Sequence, residues 1–209
     1  MEDILDLYQR PYDPRRPVVC FDEASKQLVG QVTPPAPPEP GRPAREDYEY
    51  VRRGTANLFM LSEPLANWRQ VKVTTQRTIP EFAQAIRELV DVHYPHAERI
   101  ALVLDNLNTH KPASLYATFP PAEAHRLLSK LEIHHTPKHG SWLNMAEIEL
   151  SVLAMQCLKC RIPNLETVRS TVQHWCQQRN RPGSGINWRF TTPDARIKLK
   201  RLYPLIESG

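Results

Sequence analysis

The chain has 209 residues, with 27 Lys and Arg against 23 Asp and Glu and a formal net charge of +4. This length suits one large domain with a real core, and the mild basic excess permits a nucleic-acid partner without demanding one. No apolar run approaches the ~18 residues of a membrane span, and Met1-Glu2-Asp3 does not open a secretion signal, so a soluble intracellular protein is expected.

Residues 2–16 are polar, with a weak apolar trace at Ile4, Leu5 and Leu7. Pro11, Pro14 and Pro17 stop any helix there, which predicts a short helix or arm leading into the domain. Val18-Val19-Cys20-Phe21 then reads as a short buried strand closed by Asp22 and Glu23. Lys26 to Val32 predicts another strand, interrupted by Gly30. Residues 33–45 are proline-rich and extended, a hairpin insertion over 33–47 in preference to a ligand for a proline-binding module. Tyr48, Tyr50 and Val51 alternate with charges, and Thr55 to Leu61 and Trp68 to Thr75 give two more strands. Strands this close in sequence are expected to be antiparallel. Pro80 to Tyr94 has helical spacing, with Thr78 as its N-cap and Glu81 completing a capping box.

Ile100 to Leu104 is an unbroken apolar run that ends in Asp105 and Asn106. It predicts a buried parallel strand, which delivers its last residues to the sheet edge where ligands bind. An Asx turn closing the strand is the other reading of Asp105. If this strand and Val18–Phe21 are parallel neighbours, Asp22 and Asp105 project close together, and two such anions repel unless a cation sits between them. A divalent metal with oxygen ligands is the economical explanation; two unrelated strand-end acids are the alternative.

Next come a loop with His110 and Lys111, a helix from Pro121 to Lys130, a strand from Leu131 to Thr136 and a loop ending in Gly140-Ser141. A long helix is predicted from Trp142 to Lys159, carrying Asn144, Glu147 and Glu149. Pro163 breaks it and Asn164 caps the next helix, which ends before Pro182. A carboxylate early in a helix after a Gly-Ser turn is well placed to face a site. Asp22, Asp105 and Glu147 then make three oxygen donors for one or two Mg²⁺ ions, the arrangement phosphodiester chemistry uses with two metals about 3.5–4 Å apart. Glu147 and Glu149 can each also be a solvated helix charge, and spacing alone does not choose between them. Cys157-x2-Cys160, with His174 and Cys176 further on, has the elements of a zinc site. Both lie in a predicted helix without zinc-knuckle turn residues, however, so reduced thiols are the favoured reading.

Three motifs in order carry a family resemblance: Val18-Val19-Cys20-Phe21-Asp22-Glu23, Leu104-Asp105-Asn106 with His110, and Ser141-Trp142-Leu143-Asn144-Met145-Ala146-Glu147. The chain resembles the catalytic domain of bacterial insertion-sequence transposases related to mariner elements, within the DDE transposase and integrase superfamily. Gly54-Thr55-Ala56-Asn57-Leu58-Phe59 and the tail from Trp188 to Arg196 extend the resemblance over roughly residues 5 to 204. It implies an α/β, ribonuclease H-like fold with a mixed central sheet flanked by helices: an arm at 1–16, a catalytic domain at 17–182 and a basic tail at 183–209. It implies Mg²⁺- or Mn²⁺-dependent cleavage at element ends and transfer of the 3′ end to target DNA. Asp22, Asp105 and Glu147 would bind metal, the Ser-x-x-Asn-x-x-Glu frame selecting Glu147 over Glu149. Asn106, His110 and Asn144 would orient carboxylates or a phosphate.

Lys138 and His139, and Arg196, Lys198, Lys200 and Arg201 in the tail, are the candidate DNA contacts, with Arg42 and Arg45 in the proline-rich stretch. Trp188 and Phe190 are expected to anchor the tail on the core. The implied location is the cytoplasm, at the nucleoid. The implied partners are DNA ends and target, with a homodimer allowed. Relatives carry helix-turn-helix domains ahead of the catalytic domain. Met1 lies 21 residues before Asp22, so the chain reads as the second frame of a split gene, a frameshift product or a truncated copy, with a partner chain or upstream reading frame as one source of that domain. The 42 residues from Asp105 to Glu147 exceed the mariner interval, with an extra loop expected around Ala113 to Pro121. Two other classes stay open: an inactive relic that only binds DNA or dimerises, and another nuclease of this fold such as a junction resolvase.

Overall fold

A computed structural model of the chain describes residues 1–32, 40, 49–181 and 186–203. Five strands form one sheet: β1 (Val18–Gln31), β2 (Tyr50–Glu63), β3 (Trp68–Thr74), β4 (Ile100–Leu104) and β5 (Leu131–His135), in the order β3-β2-β1-β4-β5. The first three pair antiparallel, β2 and β3 across the short connection 64–67 and β1 and β2 across the longer one at 32–49, while β1, β4 and β5 run parallel. The helices are α1 (Glu2–Leu7), α2 (Ile79–Glu88), α3 (Pro112–Thr118), α4 (Pro121–Ser129), α5 (Met145–Cys157), α6 (Leu165–Arg179) and α7 (Thr192–Lys198). None among the described residues is long and apolar enough to cross a membrane.

The period-2 alternation of strand side chains divides the core in two. Val19, Phe21, Leu102 and Leu104 pack with Phe82 and Ile86 of α2, Leu115 of α3 and Leu127 of α4. Cys20, Met60, Ala101 and Val103 pack on the other face with Ile4 and Leu5 of α1, Leu150 and Leu153 of α5, and Val168 and Val172 of α6. The arm and tail share this second core. Ile4, Leu5 and Leu7 are fully buried. Asp6 accepts a 2.6 Å bond from Thr192, and the Trp188 ring lies 5.2 Å from that of Tyr8, so the tail aromatics anchor it as expected.

The structure corrects several expectations. Asp22 is not at a strand end, because β1 continues unbroken through Lys26 to Gln31 as the partner of β2; only its parallel pairing with β4 ends before Asp22. Tyr50–Val51 and Thr55–Leu61 are one strand, not two. Gly54, at φ 99°, takes up the register shift between Gln27 and Val29, a conformation only glycine adopts cheaply. The helix from Thr78 keeps its capping box but ends as α-helix at Glu88, with Leu89–His93 wound as a π turn. The extra loop expected at Ala113 to Pro121 is the helix α3, opened by Pro112 and buried on α2 through Leu115. The proline-rich stretch, apart from Pro40, lies outside the described residues, and so do Arg42, Arg45 and Tyr48.

The long helix also starts later than expected. Ser141–Leu143 is a 3₁₀ turn, and Asn144 is the N-cap of α5 rather than a residue within it. Its side-chain oxygen accepts the Ala146 N–H at 3.1 Å, and its amide donates to the Phe21 carbonyl at 2.7 Å. One buried side chain thus caps α5 and ties it to β1 next to Asp22. Further along, Glu149 is 1% exposed and is not the solvated charge its sequence allowed. It lies 3.2 Å from the Arg69 guanidinium of β3 and 3.0 Å from that of Arg179 in α6. Arg69 is held by reciprocal 2.9 Å bonds between its backbone and the Asn180 amide.

Asn144→Ala removes the cap and strands a buried carbonyl, so urea denaturation should record a loss of about 2–3 kcal/mol. Glu149→Ala leaves two guanidinium groups without their carboxylate and should cost about 3–5 kcal/mol. In the same assay Glu147→Gln, half-exposed and beside like charges, should stay within about 0.5 kcal/mol of the parent or exceed it.

Candidate active site

The β1–β4 register pairs Val18 with Ala101 and Cys20 with Val103. Carried on by two residues, it sets Asp22 beside Asp105. Alternation puts Asp22 on the face of Cys20, while Asp105 lies just past the end of β4 and its charge, like that of Glu147, acts on Asp22. That face is covered by α5, whose first turn carries Glu147. The three acids therefore meet where β4 stops and α5 starts. Asp22 registers the crowding: its carboxyl is pushed up to about 6, first by burial and then by the charges of Glu147 and Asp105, against a 2.7 Å bond from the Glu23 N–H.

Asp105 is treated differently. Burial works to raise its pKa, yet it is held below the ordinary carboxylate value by His110, whose Nδ1 lies 2.5 Å from Oδ1. The other ring nitrogen, Nε2, is 2.9 Å from Glu23 Oε1. An imidazole with a carboxylate on each nitrogen satisfies both by donating twice, as imidazolium. Burial opposes that charge, but the two carboxylates prevail and push the His110 pKa up to about 9. Glu23 follows Asp22 in sequence but takes the opposite sheet face, and its second oxygen lies 3.2 Å from Arg77 Nε.

A cleft of about 410 Å³ opens beside Asp105, lined by Asn106, Thr136, Pro137, Lys138, His139 and Ser141 among others. The turn before α5 is tight there: a Cβ on Gly140 would come within 2.6 Å of the Pro137 ring. Asn106 is exposed at this cleft, Asn144 is buried at the α5 cap and His110 is buried behind Asp105. The structure thus brings Lys138 and His139 to the cleft beside Asp105. The tail cations are elsewhere and differently engaged: Arg196 makes two 2.8 Å contacts with Glu2, and Lys198 lies 5.6 Å from the Phe190 ring. Lys200 and Arg201 are in a 3₁₀ turn after α7.

Among the described residues, no group of three His, Cys, Asp or Glu side chains is arranged to hold a metal ion. The donor set nevertheless fits a hard divalent cation. It is all carboxylate, and it is charged beyond what Asp22 tolerates alone. Mg²⁺ keeps several waters and needs only one or two carboxylates, so a finished protein cage is not required. The four cysteines are free thiols, Cys20 and Cys176 buried and Cys160 exposed.

Sequence reasoning treated Glu23 only as part of the Asp22 motif and passed over Arg77. Alternation along β1 was the available signal for Glu23, since Val19, Phe21 and Glu23 share one face. Arg77 had none, because it belongs to the connection between β3 and α2 and meets Glu23 only through the fold.

A family model described as DDE superfamily endonuclease matches residues 17–169. Among solved structures, the Mos1 transposase paired-end complex with left transposon end superposes with a TM-score of 0.58 at 16% identity, covering 84% of this chain and 52% of that one. The Mos1 mariner paired end complex with Mn gives 0.53 at 19% identity, with coverages of 84% and 52%. The Mos1 Strand Transfer Complex gives 0.56 at 16%, with 84% and 51%. The likeness is one of fold, and it is ribonuclease H-like. This chain spans about half the length of the Mos1 chains it matches. A comparison with curated proteins gives no match. The family match takes in all five strands and the three acids that meet where β4 ends, and on it the chain belongs to the DDE superfamily endonucleases.

Proposed function

We propose that this chain is the catalytic domain of a DNA transposase, with Asp22, Asp105 and Glu147 as its metal-binding carboxylates. The observation that carries the reading is the meeting of these three acids at one corner of the sheet, where Asp22 bears the charge of the other two. A family of endonucleases and a fold shared with Mos1 in paired-end and strand-transfer complexes support it. In the reaction, a water oxygen bonds to phosphorus at an element end, its proton passes to solvent, and the P–O3′ bond breaks to leave a 3′ hydroxyl. That hydroxyl then attacks a target phosphodiester, whose own 3′ oxygen departs.

Asp22, Asp105 and Glu147 would hold Mg²⁺ or Mn²⁺ as a two-metal site, which would supply Lewis acidity for the phosphodiester chemistry. The protein's residues supply placement. Asp22 is fixed within a paired strand, Asp105 is held through His110, and Glu147 is set by the Asn144 cap. Lys138 and His139, flanking the cleft, are suited to the phosphates on either side of the scissile bond, and Asn106 is placed to orient one of them. Lys200 and Arg201 extend the contact along the duplex. Arg196 and Lys198 join them only if they leave Glu2 and the Phe190 ring. The chain's proposed partners are DNA ends and target DNA, with a second copy of this chain beside it, and the proposed location is the cytoplasm.

The test is a supercoiled plasmid carrying the DNA that flanks the gene, incubated with Mn²⁺ and the wild type, Asp105→Asn or Glu147→Gln. Wild type should nick it, leave 3′ hydroxyl ends and give joined products, all abolished by EDTA. Both variants should fall to the protein-free background while binding DNA with unchanged affinity and salt slope. Salt-sensitive binding by a wild type that never cleaves would mark a non-catalytic DNA-binding module. Cleavage that prefers branched over linear DNA would mark a junction nuclease.

A further inference from the structure

We propose that Glu23 is a positioning residue for Asp105, acting through His110 and steadied by Arg77. The inference rests on Asp105 being a metal ligand, as read above. Glu23 is 97% buried by its side chain, being 3% exposed, at the end of a hydrophobic strand face. A carboxylate there is costly unless it is paired on both oxygens. One oxygen lies 2.9 Å from His110 Nε2 and the other 3.2 Å from Arg77 Nε. The far nitrogen of His110 meets Asp105 Oδ1 at 2.5 Å. The result is a continuous line, Arg77–Glu23–His110–Asp105, running from a half-exposed guanidinium to the carboxylate at the cleft.

The geometry gives the line a job. Asp105 comes after the last residue of β4, so no strand pairing holds it. Asp22, by contrast, lies within β1 and is paired opposite Met60. Asp105 Oδ1 is engaged by His110, with the Leu107 N–H 3.3 Å away. The carboxylate is thereby set in one rotation, with Oδ2 left for a cation. His110 itself has no room to turn: Phe21 meets its ring edge-on at 5.2 Å and Phe82 packs at 4.8 Å. Only its hydrogen bonds choose what it presents to Asp105, and Glu23 supplies the bond at the back. Glu23 is not a fourth ligand, because it lies on the sheet face opposite Asp22, with Oε1 bonded to His110 and Oε2, which makes no hydrogen bond, within ion-pair distance of Arg77. A partner behind a ligand that fixes its orientation is a general feature of metal sites, and its loss typically costs about 10–100-fold in metal affinity.

The measurement is Mn²⁺ affinity, by calorimetry and by electron paramagnetic resonance of free Mn²⁺, with and without a short duplex. Thermal unfolding without metal runs in parallel. Glu23→Gln keeps the shape but not the charge and should weaken Mn²⁺ binding about tenfold or more. Arg77→Gln, at the half-exposed end and harmless to the core, should weaken it about two- to threefold. His110→Asn can place an amide N–H where Nδ1 was, so it should keep more affinity than His110→Gln, whose amide reaches the Nε2 position instead. Lower thermal stability with wild-type Mn²⁺ affinity in the Glu23, Arg77 and His110 variants, while Asp105→Asn loses binding, overturns the proposal and leaves the metal site standing. If Asp105→Asn also binds as wild type, the metal-site reading itself falls, and the proposal with it.

Discussion

The parallel pairing of Val18–Cys20 with Ala101–Val103 is three residues long on each side, and the position of every acid at the site depends on it. Hydrogen-bonded neighbours in register present their side chains to the same face, so the pairing decides that Asp22 and Asp105 will be adjacent. Where it stops matters equally. β1 goes on as the antiparallel partner of β2, and β4 ends at Leu104. Past that point no described strand pairs with β1 on that side; the Asn144 amide bonds to Phe21 there and the Ile162 carbonyl to Val29. A longer β4 would fill the gap with strand; a shorter one would withdraw Asp105.

Gathering three anions in that gap opposes folding. The Asp22 carboxyl moves from an ordinary 3.8 to about 6, with burial first among the causes. That corresponds to roughly 3 kcal/mol of native-state destabilisation. For an acid whose folded pKa is raised, the penalty is absent below the unfolded value and complete above the folded one, so it is fully present near neutral pH. It persists because rigid elements over-determine the position: Asp22 is inside a paired strand, and α5 is held by the Asn144 bond to Phe21. His110 removes part of the repulsion by setting a positive charge behind Asp105. On the proposed reading a divalent cation would neutralise the remaining charge excess, so the cost of gathering these acids and the proposed metal binding would have one origin.

Much of this was legible in the sequence because it was local. The apolar runs ending in acids gave the two parallel strands, the Thr78–Glu81 and Asn164 caps gave helix starts, and the short connection at 64–67 gave the antiparallel pairing of β2 with β3. The choice of Glu147 over Glu149 came from a family frame, not from spacing. What the sequence hid was tertiary. β1 runs on past Asp22 because β2 is there to pair with it, and apolar runs cannot announce that. The helix α3 has only seven residues and depends on α2 for its burial. Glu149 owes its burial to Arg69 and Arg179, and these lie 80 and 30 residues away along the chain.

Two acid pairs show how backbone period turns one composition into two roles. Asp22 and Glu23 are neighbours on a strand, where successive side chains point to opposite faces. Glu147 and Glu149 are two apart on a helix, about 200° around its axis. In each pair one acid faces the open corner of the sheet and the other turns into the protein. Each inward acid then finds cations: His110 and Arg77 for Glu23, Arg69 and Arg179 for Glu149. The inward partners cannot be spared, since an unpaired carboxylate at 3% or 1% exposure is strongly disfavoured. The outward acids are left without such partners on the α5 face, Asp105 excepted. The fold thus separates Glu23 and Glu149, whose cations are built in, from Asp22 and Glu147, while Asp105 at the end of β4 shares the His110 charge with Glu23.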